Sequence, residues 1–237
     1  MNIILDRPGV TDAERELRAG LVARAAELVP VLQANANRTE DERRIAEENI
    51  TAIEDAGLFT IMQPRRYGGL ETDFRTKLEV TRELARGCGS TAWTTSLINV
   101  CAWFAGMWNE QAQDDVWKDN PGNRIAGVLA PTGTAEPADG GYRVTGRWEW
   151  CTGCLHAQWA LLGIPITGDD GQLDGRRVLL DVVERVGDAA AGGLVDDEVE
   201  GGAGQAEVGP GQDNRAARHE WCAVESLAGV RVIVRAG

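Results

Sequence analysis

Residues 125–164 read IAGVLAPTGTAEPADGGYRVTGRWEWCTGCLHAQWALLGI, and the rest of the chain is organised around them. Apolar runs separated by Gly- and Pro-rich segments predict a strand, a turn-rich loop, a hairpin and another strand. At the centre lie Trp150, Cys151, Thr152 and Gly153, where one hydroxyl stands between aromatic and apolar neighbours. We expect a cofactor to bind against this turn.

The residues that precede this stretch have the periodicity of helices. Thr11 and Glu14 form a capping box at the start of a first helix. Pro30 falls inside that pattern and should kink or restart the helix. A second helix is predicted to begin at Thr39 and to end at Gly57.

Three more helices complete an all-helical unit. Asp73 is predicted to cap the third, with three apolar residues on its core side, Phe74, Leu78 and Leu84. Ser90 is predicted to cap the fourth, STAWTTSLINVCAWFAGMW, which is apolar nearly all round and should therefore be the buried centre of a bundle. A short fifth helix over residues 109–117 ends before Pro121.

The pattern then changes to short strands, predicted over residues 124–130, 142–145, 147–150, 157–166 and 177–186, with a loop over 131–141. After residue 186 no apolar periodicity persists, and the acidic, Gly-rich text predicts disorder. The prediction is an α+β chain in three parts: an all-helical bundle over 1–122, a partial antiparallel β-barrel or sheet over 123–186, and a divergent tail over 187–237.

Bulk composition narrows the possible partners. The net charge is -13, so the surface repels nucleic-acid phosphates and we expect no nucleic-acid partner. No apolar run is long enough to span a membrane, and the N-terminus lacks a secretory signal, so a cytoplasmic location is expected. Five cysteines, an odd number, argue against a disulfide framework.

Two short cysteine motifs suggest a metal site. Cys151 and Cys154 form one CxxC pair, and His219 with Cys222 could complete four zinc ligands. The two halves lie far apart in the sequence, and the second lies in the divergent tail. We therefore predict no metal, and we expect His156 to be a turn or surface histidine.

Six motifs occur in an order that resembles a known family: DAGLF, PRRYGG, ARGCGSTAW, EQAQDDVW, VLAPTGTAEPADGGYRVTGRWEWCTGC and HAQWALLG, between residues 55 and 163. Together they make the first 185 or so residues resemble the N-terminal half of the acyl-CoA dehydrogenase superfamily. The branch that they resemble is that of the two-component flavin-dependent monooxygenases, which hydroxylate aromatic and polyketide substrates.

The resemblance implies a helical domain, a middle β-barrel domain and a C-terminal four-helix bundle that forms tetramers. This chain shows no counterpart of the bundle, and its tail matches no part of the family pattern. We therefore expect a truncated or frameshifted tail. The absence of a GxGxxG motif or a P-loop fits a system in which a separate reductase supplies reduced flavin, FMN or FAD.

The resemblance also implies site residues. The hydroxyl of Thr152 would hydrogen-bond flavin N5, as the catalytic group, and Trp150 and Gly153 would contact the ring. Leu129, Ala130, Thr132 and Thr134 would meet the pyrimidine edge. The chemistry of these side chains is consistent with the roles of Thr152 and Trp150, because a hydroxyl can donate to or accept from N5 and an indole offers stacking area. Taken without the family, the favoured interpretation is that Thr152 satisfies a hairpin turn and that 132–141 is a solvated loop.

Trp93 and Cys101 of the buried helix are weaker, substrate-side candidates. Several hydroxylases of this branch have a substrate-contacting His where this chain has Cys101, and a buried Cys is usually a small apolar residue. The resemblance thus implies a flavin-dependent hydroxylase for an aromatic or polyketide-like substrate. The alternatives are an acyl-CoA dehydrogenase-like oxidoreductase acting on CH–CH groups, a non-catalytic remnant of such a flavoenzyme, and a zinc-stabilised interaction module.

Overall fold

The computed structural model describes residues 10–132, 134–138, 141–145, 148, 150–165 and 177–181. Within these residues the helices are α1 (Asp12–Ala34), α2 (Ala36–Glu42), α3 (Glu47–Asp55), α4 (Phe74–Leu84), α5 (Gly89–Ala105) and α6 (Glu110–Trp117). The strands are β1 (Ile125–Val128), β2 (Thr134–Ala138), β3 (Gly141–Thr145), β4 (Trp159–Gly163) and β5 (Arg177–Asp181). The predicted tail over 187–237, with His219 and Cys222, lies outside the described residues.

The start of α1 is the predicted capping box. The Thr11 side chain accepts from the Glu14 backbone N–H, and the Glu14 carboxylate accepts from the Thr11 N–H at 2.7 Å. The helix continues through Pro30 to Ala34, so a restart at Pro30 is wrong.

The second predicted helix is two helices. Thr39 lies inside α2, and the residue that follows the helix, Arg43, is its C-cap with a φ of 53°. The Thr39 hydroxyl accepts from the Ala46 N–H, just before α3, instead of capping its own helix. The stop at Gly57 is confirmed, because Gly57 has a φ of 70°, which glycine adopts without strain.

Helix α4 has the predicted cap but a different buried face. The Asp73 carboxylate accepts from the Thr76 N–H at 2.8 Å. Phe74 and Leu78, predicted to face the core, are 42% and 56% exposed, whereas Thr76 and Lys77 are buried. Polar residues turn inward here because α1 brings Arg18 to Asp73 (3.0 Å) and to the Thr76 hydroxyl (3.1 Å).

Helix α5 is the central helix that its apolar composition predicts, although Cys88 is its N-cap and Ser90 lies within it. The Asn99 side chain donates to the carbonyl of Leu58 at 2.8 Å and accepts from the N–H of Met62 at 3.3 Å. These bonds fasten the segment before α4 to the middle of α5.

The strands correct the predicted antiparallel barrel. The described strands form a three-stranded sheet in the order β1-β4-β5 and a separate β2–β3 hairpin. β1 pairs with β4 in parallel, Ile125 opposite Trp159 and Val128 opposite Leu162, while β4–β5 and β2–β3 are antiparallel. A parallel pair needs a long crossover connection, and residues 129–158 supply it.

Two local strand predictions are also wrong. Residues 134–138, predicted as loop, form β2. Trp148 lies outside any strand and Trp150 lies in a turn, where a strand over 147–150 was expected. The two strands of the β2–β3 hairpin therefore both precede Gly146, whereas strands on either side of Gly146 were predicted.

The helical unit and the sheet meet along α5 and β1. Cys101, Ala105, Ile125 and Leu161 share one buried cluster. Arg124 fastens the junction, because its side chain donates to the His156 carbonyl at 2.6 Å and pairs with Glu54 at 3.2 Å. None of the described helices is both long and apolar enough to cross a membrane.

Candidate functional site

The turn over residues 150–153 presents an indole and a hydroxyl. Trp150 has a φ of 64° and is 47% exposed, and Thr152 is half-buried. Backbone bonds close the turn: the Thr152 N–H donates to the Trp150 carbonyl at 2.8 Å, and the Cys154 N–H to the Cys151 carbonyl at 3.1 Å. The Thr152 hydroxyl therefore does not have to hold the turn together.

Helix α5 supports this turn from beneath. Gly153 is buried with a φ of 86°, and a Cβ placed on it would lie 3.1 Å from Ile98 Cγ1 and 3.4 Å from Thr94 Cγ2. Cys151 is fully buried. The exposed indole of Trp150 thus rests on a turn that is packed against the most buried helix.

The second candidate segment follows β1. Leu129 is 36% exposed, and Ala130 and Thr132 are exposed. The Thr132 N–H donates to the Ala130 carbonyl at 2.9 Å, which bends the chain sharply after the strand. Thr134, also exposed, begins the separate hairpin at β2 and pairs in register with Thr145.

Gly163 joins the two segments. A Cβ on Gly163 would lie 2.2 Å from the Leu129 carbonyl oxygen, so the chain after β1 passes directly over a residue without a side chain. The Gly163 carbonyl accepts from the indole N–H of Trp148 at 2.9 Å. Gly163, at the end of β4, thus contacts both the chain that leaves β1 and Trp148, which lies two residues before Trp150.

Cys101 and Trp93, the weaker candidates, both lie on α5. Cys101 is buried against β1, with its Sγ only 2.7 Å from where a Cβ on Gly127 would stand. Burial raises the pKa of its thiol to about 12, so the group is neutral at pH 7. Trp93 is 56% exposed on α5, in the same turn as Thr94. The structure gives Cys101 a packing role between helix and sheet.

His156, predicted to be a turn or surface histidine, is in a turn but is not at the surface. It ends a 3-10 turn over Cys154–His156 and is only 4% exposed. Its Nδ1 lies 3.6 Å from Glu47 Oε1, and among the described residues its Nε2 has no hydrogen-bond partner. Burial lowers the pKa of His156 to about 4, and nearby Arg44 and Arg124 act in the same direction.

Trp159 is a core residue. It is 6% exposed at the start of β4, in the core with Tyr67 and Ile125. The described residues contain no group of three or more His, Cys, Asp or Glu side chains that could hold a metal ion.

The sheet edge suits a planar heterocyclic ligand. An exposed indole offers stacking area, and a half-buried hydroxyl and an exposed chain after β1 offer hydrogen-bond donors and acceptors.

Comparison with known proteins gives the family that the chain matches. Residues 11–117 match the family model described as acyl-CoA dehydrogenase, N-terminal domain. This match agrees with what the motifs predict.

Curated relatives extend the match into the sheet. The oxygenase subunit HsaA of a flavin-dependent monooxygenase from Mycobacterium tuberculosis is 38% identical over 165 residues, which is 70% of this chain and 42% of that protein. The oxygenase component of an FADH2-dependent resorcinol hydroxylase from Rhizobium sp. is 38% identical over 149 residues, 63% of this chain and 36% of that protein. The chain spans about two fifths of the length of these relatives.

A solved structure agrees with this match. XiaF from Streptomyces sp., in complex with FADH2 and glycerol, aligns with a TM-score of 0.67 and 37% identity. The alignment covers 72% of this chain and 43% of XiaF. The matched part of the chain is therefore homologous to oxygenase components that use reduced flavin.

Sequence reasoning missed Trp148 and Gly163. Both lie in the quoted stretch, but the local pattern places Trp148 in a strand, and Gly163 is one apolar-strand residue among several. Their contact joins positions 15 residues apart, and the parallel crossover that brings them together has no local signature.

Proposed function

We propose that this chain is the flavin-binding part of a reduced-flavin-dependent hydroxylase that acts on an aromatic or polyketide-like substrate. The observation that supports the proposal is that Gly163 contacts both the chain after β1 and Trp148, just before the 150–153 turn, in a chain similar to oxygenase components. A reduced flavin would bring the oxygen chemistry to this edge. A separate reductase would supply it.

The protein's own residues would hold and shield the ring. Trp150 would cover one face, and the Thr152 hydroxyl would exchange a hydrogen bond with the ring nitrogen that gains and loses a proton. Gly153 would let the turn sit tightly on α5, and the exposed backbone around Leu129, Ala130 and Thr132 would contact the polar edge. Thr134 would reach the same edge from β2.

Several further features belong to the same proposal. We retain the division at residues 122 and 186 as an expectation, and we do not extend the homo-oligomeric state of the family to this chain. Trp93, exposed on α5, stays a substrate-side candidate. A cytoplasmic location also stays a prediction.

Flavin binding tests the proposal directly. The purified chain is titrated with FMN and FAD under anaerobic, reducing conditions, and W150A is compared with L78A, which removes another exposed apolar side chain far from the turn. Saturable binding that W150A weakens and L78A does not supports the site. No binding by a folded wild-type chain would contradict the proposal and favour a non-catalytic remnant.

One second candidate has an observation in its favour. The family model is that of acyl-CoA dehydrogenases, so oxidation of a CH–CH group by bound oxidised flavin is the alternative. The two readings predict different products. With reduced flavin and oxygen, a hydroxylase converts phenols such as resorcinol to hydroxylated products, whereas a dehydrogenase reduces an added electron acceptor when given an acyl-CoA.

A further inference from the structure

We infer that Trp148 is a positioning residue that, through Gly163, sets the spacing between the two arms of the candidate flavin site. The arms are the 150–153 turn and the chain that leaves β1 at Leu129. The inference rests on the proposed function for its link to flavin, but the spacing itself is a property of the described structure.

The indole of Trp148 holds the chain just before the turn. The side chain is 1% exposed, and its N–H donates to the Gly163 carbonyl at 2.9 Å. Trp148 stands only two residues before Trp150. A short run of chain therefore connects Trp148 to the exposed indole of Trp150. The position of the Trp148 side chain thus limits where the turn can lie.

Gly163 also lies against the chain that leaves β1. Leu129 O lies 2.2 Å, and Ala130 O 2.8 Å, from the place that a Cβ of Gly163 would occupy. The chain after β1 thus lies against the α-carbon of the residue whose carbonyl holds Trp148. Gly163 thus contacts the chain after β1 on one side and Trp148, which leads into the turn, on the other, so we expect a displacement on either side of it to be transmitted to the other.

The turn also rests on α5, because a Cβ on Gly153 would lie 3.1 Å from Ile98 Cγ1. The Trp148 indole to Gly163 bond adds a tie between the chain just before the turn and the end of β4. Loss of the indole N–H leaves a buried carbonyl without that donor, which favours rearrangement of this region.

A matched pair of variants separates positioning from stability. W148F removes the indole N–H and retains an aromatic ring. W117F makes the same change at a fully buried tryptophan of α6, whose N–H donates to the Asn123 carbonyl at 3.1 Å, away from the sheet edge. Both variants should lower the melting temperature, and only W148F should alter the flavin site.

The measurement is the dissociation constant for FMN and FAD, with the absorption band of the bound oxidised flavin as a second readout. We expect W148F to raise the dissociation constant about tenfold and to shift the band, as the loss of one hydrogen bond to a buried carbonyl would allow. W117F should leave both near the wild-type values. Equal values for W148F and W117F would overturn the inference.

A second pair covers the case in which W148F does not fold. G163A places a Cβ against Leu129 O and should weaken flavin binding, whereas G20A adds a methyl where nothing lies within 4 Å and should not. If G163A binds flavin as the wild type does, the spacing does not matter and the inference fails.

Hydrogen exchange separates this inference from the proposed function. If the wild-type chain binds no flavin, the proposed function fails, and amide exchange in residues 129–132 and 150–153 still tests the spacing. Faster exchange in both segments of W148F than of W117F supports the link. Unchanged exchange, or a change in the 150–153 segment alone, contradicts it.

Discussion

At the scale of single residues, the backbone of Thr152 closes the turn, and its side chain is a separate group that can be changed alone. Its backbone N–H closes the turn at 2.8 Å to the Trp150 carbonyl, and its side chain stays half-buried beside an exposed indole. A change confined to the side chain can therefore remove the hydroxyl and leave the turn in place.

We predict that T152V weakens reduced-flavin binding several-fold and that T152S retains most of it. Valine matches the shape of threonine without the hydroxyl, and the net value of one such hydrogen bond is about 1 kcal/mol. Titration under anaerobic conditions gives the affinities, and the melting temperatures should stay close to that of the wild type. Equal affinities for T152V and wild type would remove Thr152 from the list of flavin contacts.

A different prediction concerns Cys101, because burial of its thiol determines how fast it can be alkylated. Its thiol is packed against Gly127, and its pKa is raised to about 12. In the folded chain at pH 8 we expect no alkylation of Cys101 by iodoacetamide, and rapid alkylation in denaturant. Peptide mass spectrometry checks this. Fast labelling of Cys101 in the folded chain would show an exposed, reactive thiol and restore it as a substrate-side candidate.

At the scale of elements, local chemistry predicts where helices begin better than which face they bury. Asp73 and Thr11 are recognisable caps because a short polar side chain reaches a backbone N–H three residues on. The buried face of α4 depends on Arg18 of α1, 55 residues away from Asp73, and no pattern inside α4 contains that information.

The same distinction applies to the candidate site. The 150–153 turn and the chain after β1 are visible in the sequence as turn-forming segments between strands. The contacts of Gly163 with Leu129 and Trp148 depend on the parallel pairing of β1 with β4, which a run of short strands joined by turns does not suggest. The local pattern therefore places Trp148 in a strand, although its indole bonds to a residue in β4.

Asp73 gives a prediction at this scale. It caps α4 and also pairs with the buried guanidinium of Arg18, so D73A removes two interactions and D73N chiefly the charge. We expect a loss of about 3 kcal/mol for D73A and about 1 kcal/mol for D73N in the free energy of unfolding.

Thr11 supplies the control for this comparison. T11A removes an exposed cap that has no buried ion pair, and it should cost about 1 kcal/mol. Urea denaturation followed by circular dichroism gives all three values. A D73A loss no larger than that of T11A would show that the Arg18 pair adds nothing to stability.

At the scale of the whole molecule, buried titratable groups should limit stability at both ends of the pH range. On the alkaline side the folded pKa of Cys101 lies near 12 and the ordinary value is 9.0. The folded state therefore holds this proton more tightly than the unfolded state, and stability falls as pH rises from about 9 to 12. Tyr67, whose pKa burial and Asp114 raise to about 12, adds to the same decline.

The C101S variant tests the alkaline limb. Serine does not titrate in this range, so the variant should lose less of its unfolding free energy than the wild type between pH 9 and pH 11. Chemical denaturation at a series of pH values measures the difference. Parallel curves for C101S and wild type would mean that Cys101 does not contribute to the alkaline slope.

On the acid side His156 should act before the carboxylates. Its folded pKa is about 4 against an ordinary 6.5, so stability is complete above about pH 6.5 and falls as the pH drops to 4, by at most about 3 kcal/mol. Asp73 and Asp114 have lowered pKa values, so the stability that they contribute is complete above their ordinary pKa of 3.8 and is lost only below it. H156Q keeps a polar group without a titrating proton, and its unfolding free energy should be flat between pH 6.5 and 4.5. A wild-type slope in H156Q would assign that window to other groups.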